Sequence, residues 1–109
     1  MKSSRARHLL SVLKPINKLS KKKQNQFIGR CDKSTLDSIC ECAKNVLKGN
    51  VRLTPTQLVK LRKHKNAIRQ LSLKKTSLKK KRRILQNGGF LSALIGPAIS
   101  LLTSLFNRN

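Results

Sequence analysis

The sequence has almost no acidic residues: its 109 residues include three Asp and Glu against 26 Lys and Arg, a formal net charge of +23. Acid–base and nucleophilic catalysis need carboxylates or a nucleophile with a partnered base. The three acids, Asp32, Asp37 and Glu41, fall at the start of one predicted helix, and no glycine loop followed by Lys-Ser/Thr is present to hold a nucleotide. We therefore expect a protein that is not an enzyme, with no catalytic residue and no cofactor.

Aromatic residues and cysteines are also scarce. Trp and Tyr are absent and only three Phe occur, so any core is thin and aliphatic and few rings are available to stack on unpaired bases. The three cysteines form no C-x-x-C pair, and Cys40 and Cys42, two apart on a helix, point to different faces. We predict buried thiols in a reducing compartment and no metal site. The apolar run at 9–13 is too short for a signal peptide.

The apolar residues that are present follow helical spacing, and no β alternation occurs. One helix is predicted to start at Ser34, which forms a motif like a capping box with Asp37, and to end at Gly49. Its apolar face is formed by Leu36, Ile39, Cys40, Ala43, Val46 and Leu47. A second helix starts at Thr54-Pro55 and carries a stripe of Leu58, Leu61, Ile68 and Leu71, with Lys65 inside it. The short link between them predicts an antiparallel hairpin.

Composition divides this all-α chain into four segments. Residues 1–33 form a basic N-terminal arm of short helices, with Ser20 as an N-cap and a break at Pro15, and residues 34–72 form the helical hairpin. Residues 73–89 form a basic helix that Ser77 opens and Gly88-Gly89 closes, and residues 90–109 form an apolar C-terminal segment. Residues 1–89 hold 25 of the cations and all three acids, a net charge of +22, whereas residues 90–106 hold no charge.

The apolar segment has two readings. As a helix it spans about 25 Å, at the short edge for a bilayer crossing, and Gly96-Pro97 predicts a kink or hinge. We favour a membrane-active or self-associating segment that is kept apart from the basic part. The alternative is that residues 90–106 supply the missing part of a core for the basic helices.

The basic runs predict a polyanion partner, because so much charge on one small body repels itself. A net charge of +22 neutralises about 37 Å of duplex axis, near eleven base pairs. Since cations recur in every segment, the pattern favours sequence-independent condensation of double-stranded DNA over base reading. The candidate DNA-binding residues are Lys21, Lys22, Lys23, Lys60, Arg62, Lys63, Lys65, Arg69, Lys74, Lys75, Lys79, Lys80, Lys81, Arg82 and Arg83.

The order of a basic body, Gly88-Gly89 and an apolar tail with a proline resembles adenovirus core protein X, or mu. The segments "CECAKNVLKGNVRLTPTQLVKLRKHK" and "SLKKKRRILQNGGFLSALIGPAISLL" are similar to the protein-X-like core proteins of Polinton/Maverick elements and adintoviruses. The resemblance implies a virion core protein, present in the host nucleus during infection or element expression. It also implies maturation by an adenovirus-type cysteine protease that cuts between Gly89 and Phe90. The chain departs from the adenoviral pattern at Gln86, four places before the cut, where an aliphatic residue is expected.

Two other functions stay open from the sequence. A membrane-active cationic protein would use its basic part to attract anionic lipid and residues 90–106 to insert. A ribosomal or other RNA-binding protein would explain the charge but has no evident use for the apolar segment. Gly88-Gly89 can likewise be a plain helix C-cap rather than a protease site.

Overall fold

A computed structural model describes residues 3–49 and 51–106, and in these ranges it contains helices and no strand. The prediction of an all-α fold is confirmed. The helices are α1 (Ser3–Ile16), α2 (Lys21–Arg30), α3 (Lys33–Leu47), α4 (Pro55–Lys63), α5 (Lys65–Gln70), α6 (Leu78–Asn87) and α7 (Leu91–Phe106).

Local capping chemistry sets most of these boundaries as the sequence predicts. The hydroxyls of Ser20 and Ser77 accept the backbone N–H of Lys23 and Lys80 at 3.3 and 3.1 Å, at the starts of α2 and α6. Thr54 and Gln57 form a reciprocal capping box at the start of α4. The predicted start of α3 at Ser34 is wrong by two residues, because the Asp32 carboxylate accepts the Thr35 N–H at 2.9 Å and caps the helix earlier.

The centre of the fold is α7, the apolar helix. It packs against α3 and α1, and also contacts α4 and α2. Phe90 and Leu102 are fully buried and Leu94 is 1% exposed. The expectation that this segment is kept apart from the basic part is therefore wrong, and its alternative placement in the core is correct. Neighbours on several sides explain why α7 is apolar nearly all round. Helix α7 continues through Gly96-Pro97, where the sequence predicts a kink or hinge.

The second central helix, α3, is buried on more sides than its predicted face. Leu36, Ile39 and Ala43 are buried as expected, but Cys42 and Ser38 are buried too. The reason is that α3 packs against α7, α1 and α5. The side chains of Cys40 and Cys42 are therefore both buried, although they lie on different faces of the helix.

The second helix of the predicted hairpin is divided at His64. This residue separates α4 from α5, and α5 packs on α3 while α4 packs on α7. A continuous helix would place Lys65 in the apolar stripe, and burying an ammonium group is costly. With the break, Lys65 is exposed whereas Ile68 and Leu71 are buried.

The N-terminal arm joins the same core. Helix α1 continues one residue beyond Pro15 and buries Leu9 and Leu13 against α7 and α3. Gln24 links α2 to α1 and to α7 by hydrogen bonds. Its amide nitrogen donates to the Ile16 carbonyl at 3.1 Å, and its side-chain oxygen accepts a hydrogen bond from the Ser92 hydroxyl at 2.7 Å. All four sequence segments thus contribute to one cluster of buried residues.

Candidate nucleic-acid interface

Helices α2 and α6 pack as an antiparallel pair. The Arg82 guanidinium donates to the Ile28 carbonyl at 2.8 Å, and the Gln86 amide donates to the Asn25 carbonyl at 3.0 Å. As the number rises along α6, its partner's number falls along α2, so the helices run in opposite directions. They approach closely at Gly29, where a Cβ would lie 2.8 Å from the Gln86 amide nitrogen.

The solvent side of this pair is a surface of cations, which we call the α2–α6 face. Its members are all exposed: Lys21, Lys22, Lys23, Arg30, Lys79, Lys80 and Arg83. The antiparallel arrangement brings Arg30, at the end of α2, beside the first half of α6, where Lys79 and Lys80 lie. Arg30 is a further candidate that the basic runs do not contain, because it stands alone in the sequence and joins these cations only through the packing of α2 on α6.

Two of the candidate residues serve the protein itself. Arg82 is half-buried and its bond to Ile28 satisfies a carbonyl in the last turn of α2. Lys81 is half-buried in a cleft that Asp37 and Glu41 also line. The basic run 79–83 therefore divides by helical geometry into an outward set and an inward pair.

The remaining candidates lie on other parts of the surface. Arg62 and Lys63 on α4, Lys65 and Arg69 on α5, and Lys74 and Lys75 in the α5–α6 loop are exposed, while Lys60 is half-buried. Further exposed cations outside the basic runs are Lys14, Lys44, Lys48 and Arg52. The predicted residues therefore lie on α2, α4, α5 and α6 and in one loop, and exposed cations occur on every helix from α1 to α6.

Little negative charge opposes these cations. Lys33 Nζ lies 2.7 Å from Asp37 Oδ2, an exposed i,i+4 pair of the kind that contributes little to stability. The Asp32 carboxylate is committed to its cap, and its hydrogen bonds with Thr35 lower its pKa below the usual value. Neither α2 nor α6 has an acid in its first turn, so the positive N-terminal ends of these two helices add to the field of their lysines.

The three Phe rings offer no exposed stacking surface. Phe90 is fully buried and its ring centroid lies 5.5 Å from that of His64. Phe27 is half-buried, and Phe106 is half-buried beneath the Arg7 guanidinium, 5.0 Å from the ring centroid. Stacking on splayed bases needs exposed rings, so the surface suits a charged backbone.

The Gly88-Gly89 pair has a conformational role in the folded chain. A Cβ on Gly88 would collide with the Phe90 ring and would lie 2.6 Å from the Ile84 carbonyl oxygen. Gly89 has a φ of +77°, which strains residues with a side chain. The proposed cut between Gly89 and Phe90 adjoins the buried ring, so a protease reaches an extended strand there only after this corner opens.

The cysteines lie in the protein interior. Burial raises the pKa of Cys40 to about 11 and that of Cys42 to about 12, and it also raises the pKa of half-buried Cys31. These thiols are therefore protonated at neutral pH. Within residues 3–49 and 51–106, no group of three His, Cys, Asp or Glu side chains is placed to hold a metal ion.

Among the described helices, α7 is the most apolar. None of them alone has the length and hydropathy that a bilayer crossing requires, although α6 and α7 together, bent by 107° where they meet, satisfy both criteria.

Comparison with known proteins leaves the family open. No protein-family model matches the chain, and no match is found among curated proteins or among solved structures.

Proposed function

We propose that this protein binds double-stranded DNA without sequence preference and condenses it, as a core protein of a virus or virus-like transposon. The observation that carries the proposal is the presence of exposed cations on every helix from α1 to α6 of one folded body that has only three acids. The virion core and the host nucleus as locations rest on the resemblance to protein-X-like core proteins.

The charge and the size of the body fit a duplex. Its longest dimension is 38 Å, and a net charge of +22 neutralises about 37 Å of duplex axis. One molecule therefore carries enough charge for a stretch of DNA of its own length. Such a ratio suits packaging, where most phosphates have to be neutralised.

The distribution of charge favours bridging. One duplex can contact one side of the body, such as the α2–α6 face, which leaves Arg62, Lys63 and Arg69 on α4 and α5 for other contacts. Each phosphate contact releases a counterion, so a second duplex gains free energy from the cations that the first does not use. Bridging of neighbouring duplexes is the elementary step of condensation.

The structure supports the membrane function less well. Insertion of residues 90–106 would require α7 to leave α1 and α3 and to uncover Leu94 and Leu102, which are buried. Separation of so many apolar contacts costs far more free energy than a typical domain of this size has to spare.

Maturation by a viral cysteine protease is part of the proposal and has a structural consequence. A cut after Gly89 would break the peptide connection between α6 and α7. Phe90 and Leu94 would still hold α7 in the core by packing. We infer that a cut protein keeps α7 bound non-covalently as long as the core stays folded.

The test is a salt titration of binding to labelled duplexes of about 20 base pairs. Two unrelated sequences are expected to bind equally, with an affinity that falls steeply between about 50 and 200 mM salt. Duplex RNA of the same length distinguishes the RNA-binding alternative. A shallow salt dependence, a strong preference for one DNA sequence, or much tighter binding to RNA would contradict the proposal.

Matched triple variants locate the primary face. The change Lys79→Gln, Lys80→Gln and Arg83→Gln is expected to lower the slope of log affinity against log salt by about 3. The control, Lys14→Gln, Lys44→Gln and Lys48→Gln, removes the same charge from exposed sites on α1 and at the end of α3. Equal effects of both triples would assign no special part to the α2–α6 face.

A further inference from the structure

An apolar groove lies between α3 and α4, and none of its lining residues belongs to α2 or α6. It has a volume of about 190 Å³ and is lined by Ala43, Val46, Leu47, Gly49, Leu53, Leu58, Leu61, Arg62 and Ile68. For comparison, a cavity of about 150 Å³ takes a benzene-sized group. The groove therefore has room for an apolar side chain of that size.

The division at His64 explains the groove. Helix α5 packs against α3, whereas α4 turns to pack on α7, so the space beside the C-terminal part of α3 is left open. Leu58 remains 38% exposed at its edge, and the neighbouring Val59 is 69% exposed. Leu58 therefore extends the apolar lining of the groove to the solvent.

The charge around the groove is of one sign. Arg62 lines it, and exposed Lys48, Arg52 and Lys63 lie in the segments that form its walls. Asp37 and Glu41 line a different cleft, together with Cys40 and Lys81. Asp32 caps the N-terminus of α3, whereas the groove lies beside the C-terminal part of this helix. An occupant therefore needs apolar groups for the floor and negative charge for the rim.

This combination excludes two other occupants. A duplex presents phosphates but no apolar side chain to fill the groove. A second copy of the chain would bring another formal charge of +23 to a basic rim, which opposes association.

We propose that the α3–α4 groove docks an acidic amphipathic helical segment of a partner protein. Its apolar side chains, spaced i, i+3 or i+4 and i+7, would occupy the groove beside Leu58, and its carboxylates would pair with Arg62 and the surrounding lysines. This inference does not rest on the α2–α6 face, but it shares Arg62 and Lys63 with the second duplex contact proposed above, so excess duplex DNA is expected to compete with the partner.

The test uses two labelled peptides of about 14 residues and identical composition, Leu and Glu with Ala, and the full-length protein. One peptide has its Leu on a single helical face and the other has them spread around the helix. Since charge alone attracts both equally, the ratio of their affinities by fluorescence anisotropy reports the groove. The expected ratio is about tenfold in favour of the amphipathic peptide.

Substitutions assign the preference to the groove. Leu58→Gln is expected to bring the ratio close to one, and Leu73→Gln, which removes a leucine of similar exposure (40%) outside the groove lining, is expected to keep it. If Leu58→Gln loses helix content by circular dichroism, Leu53→Gln, at a half-buried lining residue outside the helices, serves instead and is expected to lower the ratio severalfold. A wild-type ratio near one would overturn the proposal. So would retention of the full ratio by both groove variants, or a dimer in sedimentation that depends on Leu58.

Discussion

The placement of α7 in the core can be tested with one substitution made twice on the same helix. Leu94 is 1% exposed and lines a small gap together with Leu13 of α1, Ile28 of α2 and Ile39 of α3. Leu105, three turns later, is 40% exposed. Leu→Ala at each position changes helix propensity by the same small amount, so the difference between them reports burial.

The expected magnitudes follow from the buried area. Leu94→Ala removes three buried carbon groups at about 0.8 kcal/mol each and leaves a cavity, for a total of about 2–5 kcal/mol. Leu105→Ala is expected to cost about 1 kcal/mol or less, because much of its side chain already contacts water. Against a total stability of about 5–15 kcal/mol, the first change is a large fraction and the second is minor.

The assay is urea denaturation followed by circular dichroism at moderate salt. The dependence of the unfolding free energy on urea concentration is compared among the wild type and the two variants. An unchanged slope and a lower midpoint for Leu94→Ala alone would agree with the structure. If both variants unfold like the wild type, α7 is not part of the core, and the segment stands apart as its composition suggests.

Three further outcomes are expected. Gly88→Ala should destabilise the fold by about 1–3 kcal/mol, measured by thermal melting, because the added methyl group collides with the Phe90 ring; an unchanged melting temperature would mean that the ring moves freely. Arg82→Gln should lower stability by about 1–2 kcal/mol and have little effect on the salt slope of DNA binding. Arg83→Gln should lower the salt slope and have little effect on stability. Equal effects of the two substitutions on either readout would contradict the division of the basic run. Thiol labelling near pH 7.5 with mass-spectrometric mapping should modify Cys31 first and slowly, because burial raises all three thiol pKa values and this one is the least buried; rapid labelling of all three would show that the interior is open.

The sequence predicts features that depend on near neighbours along the chain. The caps at Ser20, Thr54 and Ser77 and the turn at Gly49, whose φ is +84°, are correct, because each uses a hydroxyl or a glycine within four residues of its partner. The charge of the surface is predicted equally well, since exposed lysines need no partner.

Features that depend on distant residues are not predicted. The contact of Arg82 with Ile28 joins residues 54 apart in sequence, and nothing in a run of five cations marks one of them as structural. The sequence leaves the position of α7 open for a related reason, since an uncharged helix that is apolar on most sides suits a core and a bilayer equally. The break at His64 follows from where Lys65 would otherwise point, which is known only once α3 and α5 are in contact.

Bridging of duplexes by the folded body can be measured by energy transfer between two populations of short duplexes. One population carries a donor dye and the other an acceptor dye. Protein is added at about one molecule per eleven base pairs, the ratio at which its charge balances that of the DNA. We expect a rise in energy transfer that disappears as salt is added, and we expect the same result for duplexes of unrelated sequence. Saturated binding by anisotropy without energy transfer at any ratio would mean that the protein coats single duplexes and does not condense them.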